Sequence, residues 1–141
     1  MKHKILIVDD EENILLVVKE AFTKKYEVFT ASEGGAALEI IKREKPSFVF
    51  LDIKMPGMSG IEVLGQVKAT GAEPVVWMLT GEEDLEVAAN TLKGGASGYI
   101  TKPFDIEVIR NVVLAALADL KKAAHPESSS DKPWRVKKNK S

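Results

Sequence analysis

The stretch Ile5-Leu6-Ile7-Val8-Asp9-Asp10-Glu11-Glu12 decides how the chain folds. Four apolar residues in unbroken succession make a strand buried on both faces, because a strand with one wet face alternates apolar and polar positions. The run stops at two carboxylates, and a different period takes over. Ile14, Val17, Val18, Ala21 and Phe22 fall on one helical stripe, with Lys19, Glu20 and Lys24 opposite. A doubly covered strand feeding directly into an amphipathic helix is the first unit of an α/β sheet.

The same alternation recurs four more times along the chain. Residues Tyr26 to Thr30 read as a short strand, and Ala36, Ala37, Ile40 and Ile41 mark a helix that Pro46 ends at or before Lys45. Phe48 to Leu51 is a second wholly apolar strand, followed by a Pro56, Gly57 and Gly60 loop and a helix carrying Ile61, Leu64 and Val67. Pro74 opens a strand running to Thr80, and Glu83 to Lys93 is a weakly patterned helix stopped by Gly94 and Gly95. Ser97 to Ile100 is a short strand near an edge, before a helix from about Asp105 to Lys121 with Val108, Ile109, Val112, Val113, Ala116, Leu117 and Leu120 on one wide stripe. Lys121 and Lys122 suit its C-terminal dipole. Five strands alternating with five helices predict an α/β fold with a five-stranded parallel sheet, doubly wound as (βα)5. No internal repeat is visible.

The whole chain has 141 residues, 45% of them hydrophobic and 29% charged, which suits one soluble domain with a sizeable core. No apolar run approaches the roughly twenty residues of a membrane span, and nothing has the form of a signal peptide, so the expected location is the cytoplasm, without membrane contact. The absence of cysteine excludes disulfides, thiolate zinc sites and cysteine nucleophiles. His3 and His125 lie near opposite ends of the sequence and lack metal-pair spacing. The formal charge of −1 conceals a split: beyond the 1–122 domain, residues 123–141 carry Lys132, Arg135, Lys137, Lys138 and Lys140 against Glu127 and Asp131, a tail of +3 on a body of −4. Its Ser, Pro and Lys content predicts a solvated, disordered tail or linker rather than a nucleic-acid surface.

The chemistry-bearing residues all sit where strands end. Asp9 and Asp10 follow the first strand, Asp52 the third, Thr80 the fourth and Lys102 the fifth. In an open α/β sheet, ligands bind beyond the carboxyl ends of the strands, so these groups are expected to converge. Singly each is ordinary: acidic residues favour helix N-termini, and a strand-end threonine or a surface lysine is common. Together they suit a divalent cation and a phosphoryl group. Mg²⁺ takes oxygen ligands and accepts one or two carboxylates while leaving positions for phosphate. A carboxylate beside it is able to act as nucleophile and form an acyl phosphate. Lys102 offers a positive charge and Thr80 a hydroxyl to the same oxygens. Trp77, three residues before Thr80, is expected in the core and as a fluorescent reporter of metal, with Trp134 as a second, interfering indole.

The segments Ile5 to Glu12 (ILIVDDEE), Leu51 to Gly60 (LDIKMPGMSG), Met78 to Glu82 (MLTGE) and Gly98 to Phe104 (GYITKPF) together resemble a response-regulator receiver domain of two-component signalling, of the chemotaxis-regulator-like kind. The likeness extends from about Lys2 to Leu120. It implies a flavodoxin-like strand order of 2-1-3-4-5 and a phosphoacceptor at Asp52, which takes its phosphoryl group from the phosphohistidine of a sensor histidine kinase or a histidine phosphotransfer protein. It implies Mg²⁺ on Asp10, Asp52 and the backbone carbonyl of Lys54, with Asp9 acting through a water. Thr80 and Lys102 would hold the phosphoryl oxygens, and the Lys102–Pro103 bond would be cis.

The same resemblance implies a switch in which Thr80 moves with Tyr99, altering the surface of the fourth helix, fifth strand and fifth helix for a downstream protein. Phosphorylation-dependent homodimerisation is a further arrangement open to it. Lys54 and Glu82 flank the expected site without being needed to hold metal or phosphate, and are expected to tune the phosphoryl lifetime by controlling the approach of water. Three other readings compete. A flavodoxin-like electron carrier shares the fold, but Asp9, Asp10, Glu11 and Glu12 would repel a flavin phosphate. An aspartyl phosphatase would commonly carry an acid two residues after its nucleophile, where this chain has Lys54. A receiver-like interaction module without phosphorylation would not require the whole constellation. No DNA-binding helical pair or output enzyme domain follows Lys121 in the sequence, so neither direct nucleic-acid binding nor a separate catalytic activity is expected.

Overall fold

The computed structural model describes residues 2–122, and the expectation for the basic tail, Trp134 included, lies outside them. Strand β1 (Lys4–Val8) leads into helix α1 (Glu12–Phe22), β2 (Glu27–Ala31) into α2 (Gly34–Glu44), and β3 (Phe48–Asp52) into α3 (Gly60–Ala69). Strand β4 (Val75–Thr80) is followed by a single 3-10 turn (Glu82–Asp84) and α4 (Leu85–Thr91), and β5 (Gly98–Thr101) by α5 (Ile106–Lys122). The strands are all parallel and lie in the order β2-β1-β3-β4-β5. The expected topology is therefore the observed one.

Side-chain alternation along each strand divides the core into two layers. Ile5, Ile7, Phe48, Phe50 and Leu79 face one side, where they meet Val18 and Phe22 of α1 and Ile109 and Val113 of α5. Leu6, Val8, Val49, Leu51 and Met78 face the other, against Ala37 and Ile41 of α2, Val63 and Leu64 of α3, and Ala88 of α4. Every residue of β3 and β4 is buried, as a central strand covered on both faces must be. Burying each such side chain contributes about 1.5–3 kcal/mol, so the two layers anchor β1, β3 and β4 as the rigid base of the strand ends. Trp77 packs on the α1/α5 side, and its ring lies where a Cβ at the paired Gly98 would be only 2.6 Å away. Glycine on β5 is thus what lets an indole fit on β4.

Strand β5 runs one residue later than expected and β4 begins one residue later, and two boundaries differ for a reason visible in the packing. Tyr26 does not open β2: its amide donates to the Phe22 carbonyl at 2.9 Å and its ring meets Phe22 edge-on at 5.6 Å, so it closes α1. Helix α4 is shorter than the 83–93 span, because residues 82–84 form the tighter turn and the chain leaves the helix after Thr91. The turn before it is made of Glu82, Glu83 and Asp84, and only Ala88 and Thr91 of α4 are buried. Few apolar residues hold this helix down, unlike α3, which Ser59 and Glu62 close with a reciprocal capping box.

Candidate functional site

The carboxyl end of the sheet carries the acidic cluster. Asp9 leaves β1 with its amide bonded to the Ala31 carbonyl at 3.1 Å, and its side chain is wholly buried. Its two oxygens do different things. Oδ1 accepts the Glu11 amide at 2.9 Å, bracing the start of α1, while Oδ2 lies 2.9 Å from the Lys102 ammonium. One oxygen thus holds the turn into α1, whose N-cap Glu11 makes no side-chain cap of its own, and the other faces the ammonium. Asp10, the next residue, is exposed at the rim. Asp52 ends β3 and is 4% exposed, with the Lys102 Nζ 3.4 Å from its Oδ1. Asp9, Asp10 and Asp52 each offer a carboxylate oxygen within 4.8 Å of the others.

Backbone contacts fix Asp52. The Ile53 amide donates to the Leu79 carbonyl of β4 at 3.1 Å, and the Gly60 amide donates back to the Ile53 carbonyl at 2.9 Å. Gly60 presses so closely that a Cβ there would stand 2.0 Å from the Asp52 carbonyl oxygen, which only glycine avoids. Lys102 is held by its own amide, which donates to the Thr80 carbonyl at 2.7 Å, and the Lys102–Pro103 peptide is cis. Thr80 is buried at the end of β4, one residue beyond the Leu79 that pairs with Asp52, and its hydroxyl donates to the Gly81 carbonyl at 3.0 Å. That hydroxyl is thus engaged locally rather than on a carboxylate.

The electrostatics follow from the crowding. Burial, with the neighbouring charges of Asp9 and Asp10 adding to it, pushes the Asp52 carboxyl up to about 7 despite the opposing pull of Lys102. For Lys102, burial works against the ammonium, yet the hydrogen bond to Asp9 and the charges of Asp52, Asp9 and Glu11 outweigh it and raise its pKa. One ammonium against three carboxylates leaves the pocket short of positive charge. A small hard cation fits that deficit, since it accepts carboxylate oxygens and relieves their repulsion.

The family model described as the response regulator receiver domain matches residues 5–114. The chain belongs to the receiver domain family. Among curated relatives, the sporulation initiation phosphotransferase F of Bacillus subtilis is 40% identical over 114 residues, covering 80% of this chain and 92% of its own length. The regulatory protein AtoC of Escherichia coli is 34% identical over 82% of this chain, which spans 25% of that protein. Further curated relatives are likewise longer, among them the PhoP regulator of Bacillus subtilis and KdpE of Mycobacterium tuberculosis, the chain spanning about half of their length. Among solved structures, the signal receiver domain of a putative Luxo repressor protein from Vibrio parahaemolyticus superposes with a TM-score of 0.80 at 25% identity, covering 90% of this chain and 100% of the other. NtrX from Brucella abortus superposes with a TM-score of 0.80 at 32% identity over 88% of this chain and 29% of its own.

Around this receiver site, the remaining residues singled out in the sequence fall at different distances. Tyr99, opposite Met78 in the sheet, is half-buried on the α2/α3/α4 side of β5. Glu82 is exposed in the 3-10 turn. Lys54 is at the start of the β3–α3 loop and its ammonium lies 3.5 Å from Asp84 Oδ2. Two residues were given no part in the site by the sequence. Gly60 left only a Ser-Gly step before a helix as its signal, which says nothing of its contact with Asp52. Asp84 left none, being one of several acids opening a weak helix. No described helix is long and apolar enough to cross a membrane.

Proposed function

We propose that this receiver domain is a phosphoacceptor switch whose acceptor is Asp52. The observation that carries this is a buried carboxylate at the end of the central strand, 3.4 Å from a half-buried ammonium and within 4.8 Å of two further carboxylates. Asp10, Asp52 and the Lys54 backbone carbonyl would hold Mg²⁺, with Asp9 acting through a water. When bound, the cation neutralises the phosphoryl oxygens and keeps Asp52 ionised at neutral pH.

Asp52, once ionised, attacks the phosphorus of a phosphohistidine on a sensor kinase or phosphotransfer protein. The P–N bond breaks, the imidazole leaves with its electron pair, and an acyl phosphate remains on Asp52. Lys102 shifts from the carboxylates toward the new phosphoryl oxygens, a point charge on a stem already anchored at Thr80. The Thr80 hydroxyl exchanges the Gly81 carbonyl for a phosphoryl acceptor, since phosphorylation adds strong acceptor oxygens within its reach. Tyr99 follows on the neighbouring strand and reshapes the α4, β5 and α5 surface, whose α4 is thinly anchored, for a downstream protein. The relative named a phosphotransferase, matched over nearly its whole length, supports a relay role.

The test is transfer of radiolabelled phosphoryl from candidate kinases to wild type and Asp52→Asn, with Mg²⁺ and with EDTA. Label on wild type alone, and only with Mg²⁺, is the expected result. Equal label on Asp52→Asn would overturn the assignment. Dephosphorylation rates of Lys54→Ala and Glu82→Ala then test the tuning roles, which unchanged rates would remove. Tyr99→Ala, labelled normally but deficient in partner binding, is expected of the switch.

A further inference from the structure

We infer that Asp84 is a positioning residue for the phosphoryl chemistry proposed above, acting through Lys54 to keep the mouth of the site open to water. The inference rests on the reading of Asp52 as phosphoacceptor. Its basis is the cross-loop ion pair: Lys54 Nζ lies 3.5 Å from Asp84 Oδ2, joining the β3–α3 loop to the turn before α4. Both residues line a shallow cavity of about 510 Å³ with Asp10, Ile53, Pro56 and Val87, so the pair flanks the same opening as a carboxylate of the acidic cluster. Glu82, nearer Thr80 in sequence, is exposed and is not the residue Lys54 reaches.

The two partners are unequal. The Asp84 side chain is 16% exposed and its amide is tied to the Gly81 carbonyl at 3.1 Å, so the turn sets where its carboxylate stands. The Lys54 side chain is 68% exposed on a flexible four-carbon stem, so its ammonium goes where the field directs it. Lys54 is only two residues beyond Asp52. A phosphoryl group on Asp52 brings roughly two negative charges beside it and competes with Asp84 for the ammonium.

Hydrolysis of the acyl phosphate needs a water oxygen to reach the phosphorus. The bond from phosphorus to the Asp52 oxygen breaks, the carboxylate leaves with the electron pair, and inorganic phosphate and one proton pass to solvent. The Asp84 carboxylate, 3.5 Å away, holds Lys54 to the side of that path. Without it the ammonium swings onto the phosphoryl oxygens, holds them, and stands where the water enters. Asp84→Asn therefore lengthens the phosphoryl lifetime, by about two- to fivefold given the strength of an exposed ion pair.

The experiment labels the full chain with acetyl phosphate and Mg²⁺, removes the donor, and follows loss of phosphate. The expected pattern is a longer lifetime in Asp84→Asn, a lifetime near wild type in Asp84→Glu, and no effect of Asp84→Asn in a Lys54→Gln background. An unchanged lifetime in Asp84→Asn, or an equal lengthening with and without Lys54, overturns the role of Asp84 while leaving Asp52 as acceptor. Wild type that takes no label, or Asp52→Asn that takes as much, overturns the acceptor reading and this inference with it.

Discussion

Replacing Asp52 by Asn should stabilise the metal-free protein at pH 8, although it removes the residue to which the chemistry is assigned. The folded pocket raises the Asp52 pKa from 3.8 to about 7, chiefly by burial and then by the charge of Asp9. Each unit corresponds to about 1.36 kcal/mol, so holding this carboxylate ionised costs about 4 kcal/mol as an upper bound. That figure already includes the attraction of Lys102, and relaxation of the pocket around the charge brings the expected gain to about 2–4 kcal/mol. The sign with pH is definite. Unfolded Asp52 gives up its proton near 3.8 and folded Asp52 near 7, so between those values the folded state binds more protons and its stability falls as pH rises. Above 7 the loss is complete and flat. Asn does not titrate, so the gap between the two proteins grows from nearly nothing at pH 4, through about a third of its full size at pH 5, to the full value at pH 8. Urea unfolding in EDTA at these three pH values measures it, and thermal melting at pH 8 should show a rise in Tm on the order of 10 °C. Excess Mg²⁺ should narrow the gap by binding folded wild type. A gap absent at pH 8, or the same at pH 4 and pH 8, would refute the picture of a pocket strained by its own acids.

Other outcomes follow from the same geometry. Lys102→Met leaves the wholly buried Asp9 carboxylate without its ammonium, and should lower stability by about 3 kcal/mol in EDTA, read from urea midpoints. Gly60→Ala sets a methyl against the Asp52 carbonyl where neither side is able to yield, and should lose about 2–3 kcal/mol together with most phosphoacceptance, measured by melting and by acetyl phosphate labelling. Gly35→Ala is its control: it lies in α2 with nothing within 4 Å of the added carbon, so it should gain about 0.5–1 kcal/mol and label normally.

The two core layers and the chemistry along their upper edge are legible in the order of residues. Unbroken apolar runs at Ile5 to Val8 and Phe48 to Leu51 require cover on both faces, and a carboxylate, hydroxyl or ammonium just past a strand end has nowhere to go but the crevice. Those are local signals, carried by period and by position relative to a strand, and they survive without knowledge of any neighbour. Tertiary structure alone decided which groups touch. That Lys102 reaches both Asp9 and Asp52, and that Lys54 turns to Asp84 rather than Glu82, are set by distances between loops far apart in the chain, while the rest of the Thr80 hydroxyl on Gly81 and of Gly60 against the Asp52 carbonyl depends on how each local turn is folded. Tyr26 and α4 show the same division at smaller scale, for packing against Phe22 and the tight turn at Glu82 to Asp84 overrode boundaries drawn from periodicity. Periodicity reports which face a residue occupies; the depth of a pocket, and therefore the raised pKa of Asp52, exists only once the strands have brought their ends together and excluded water.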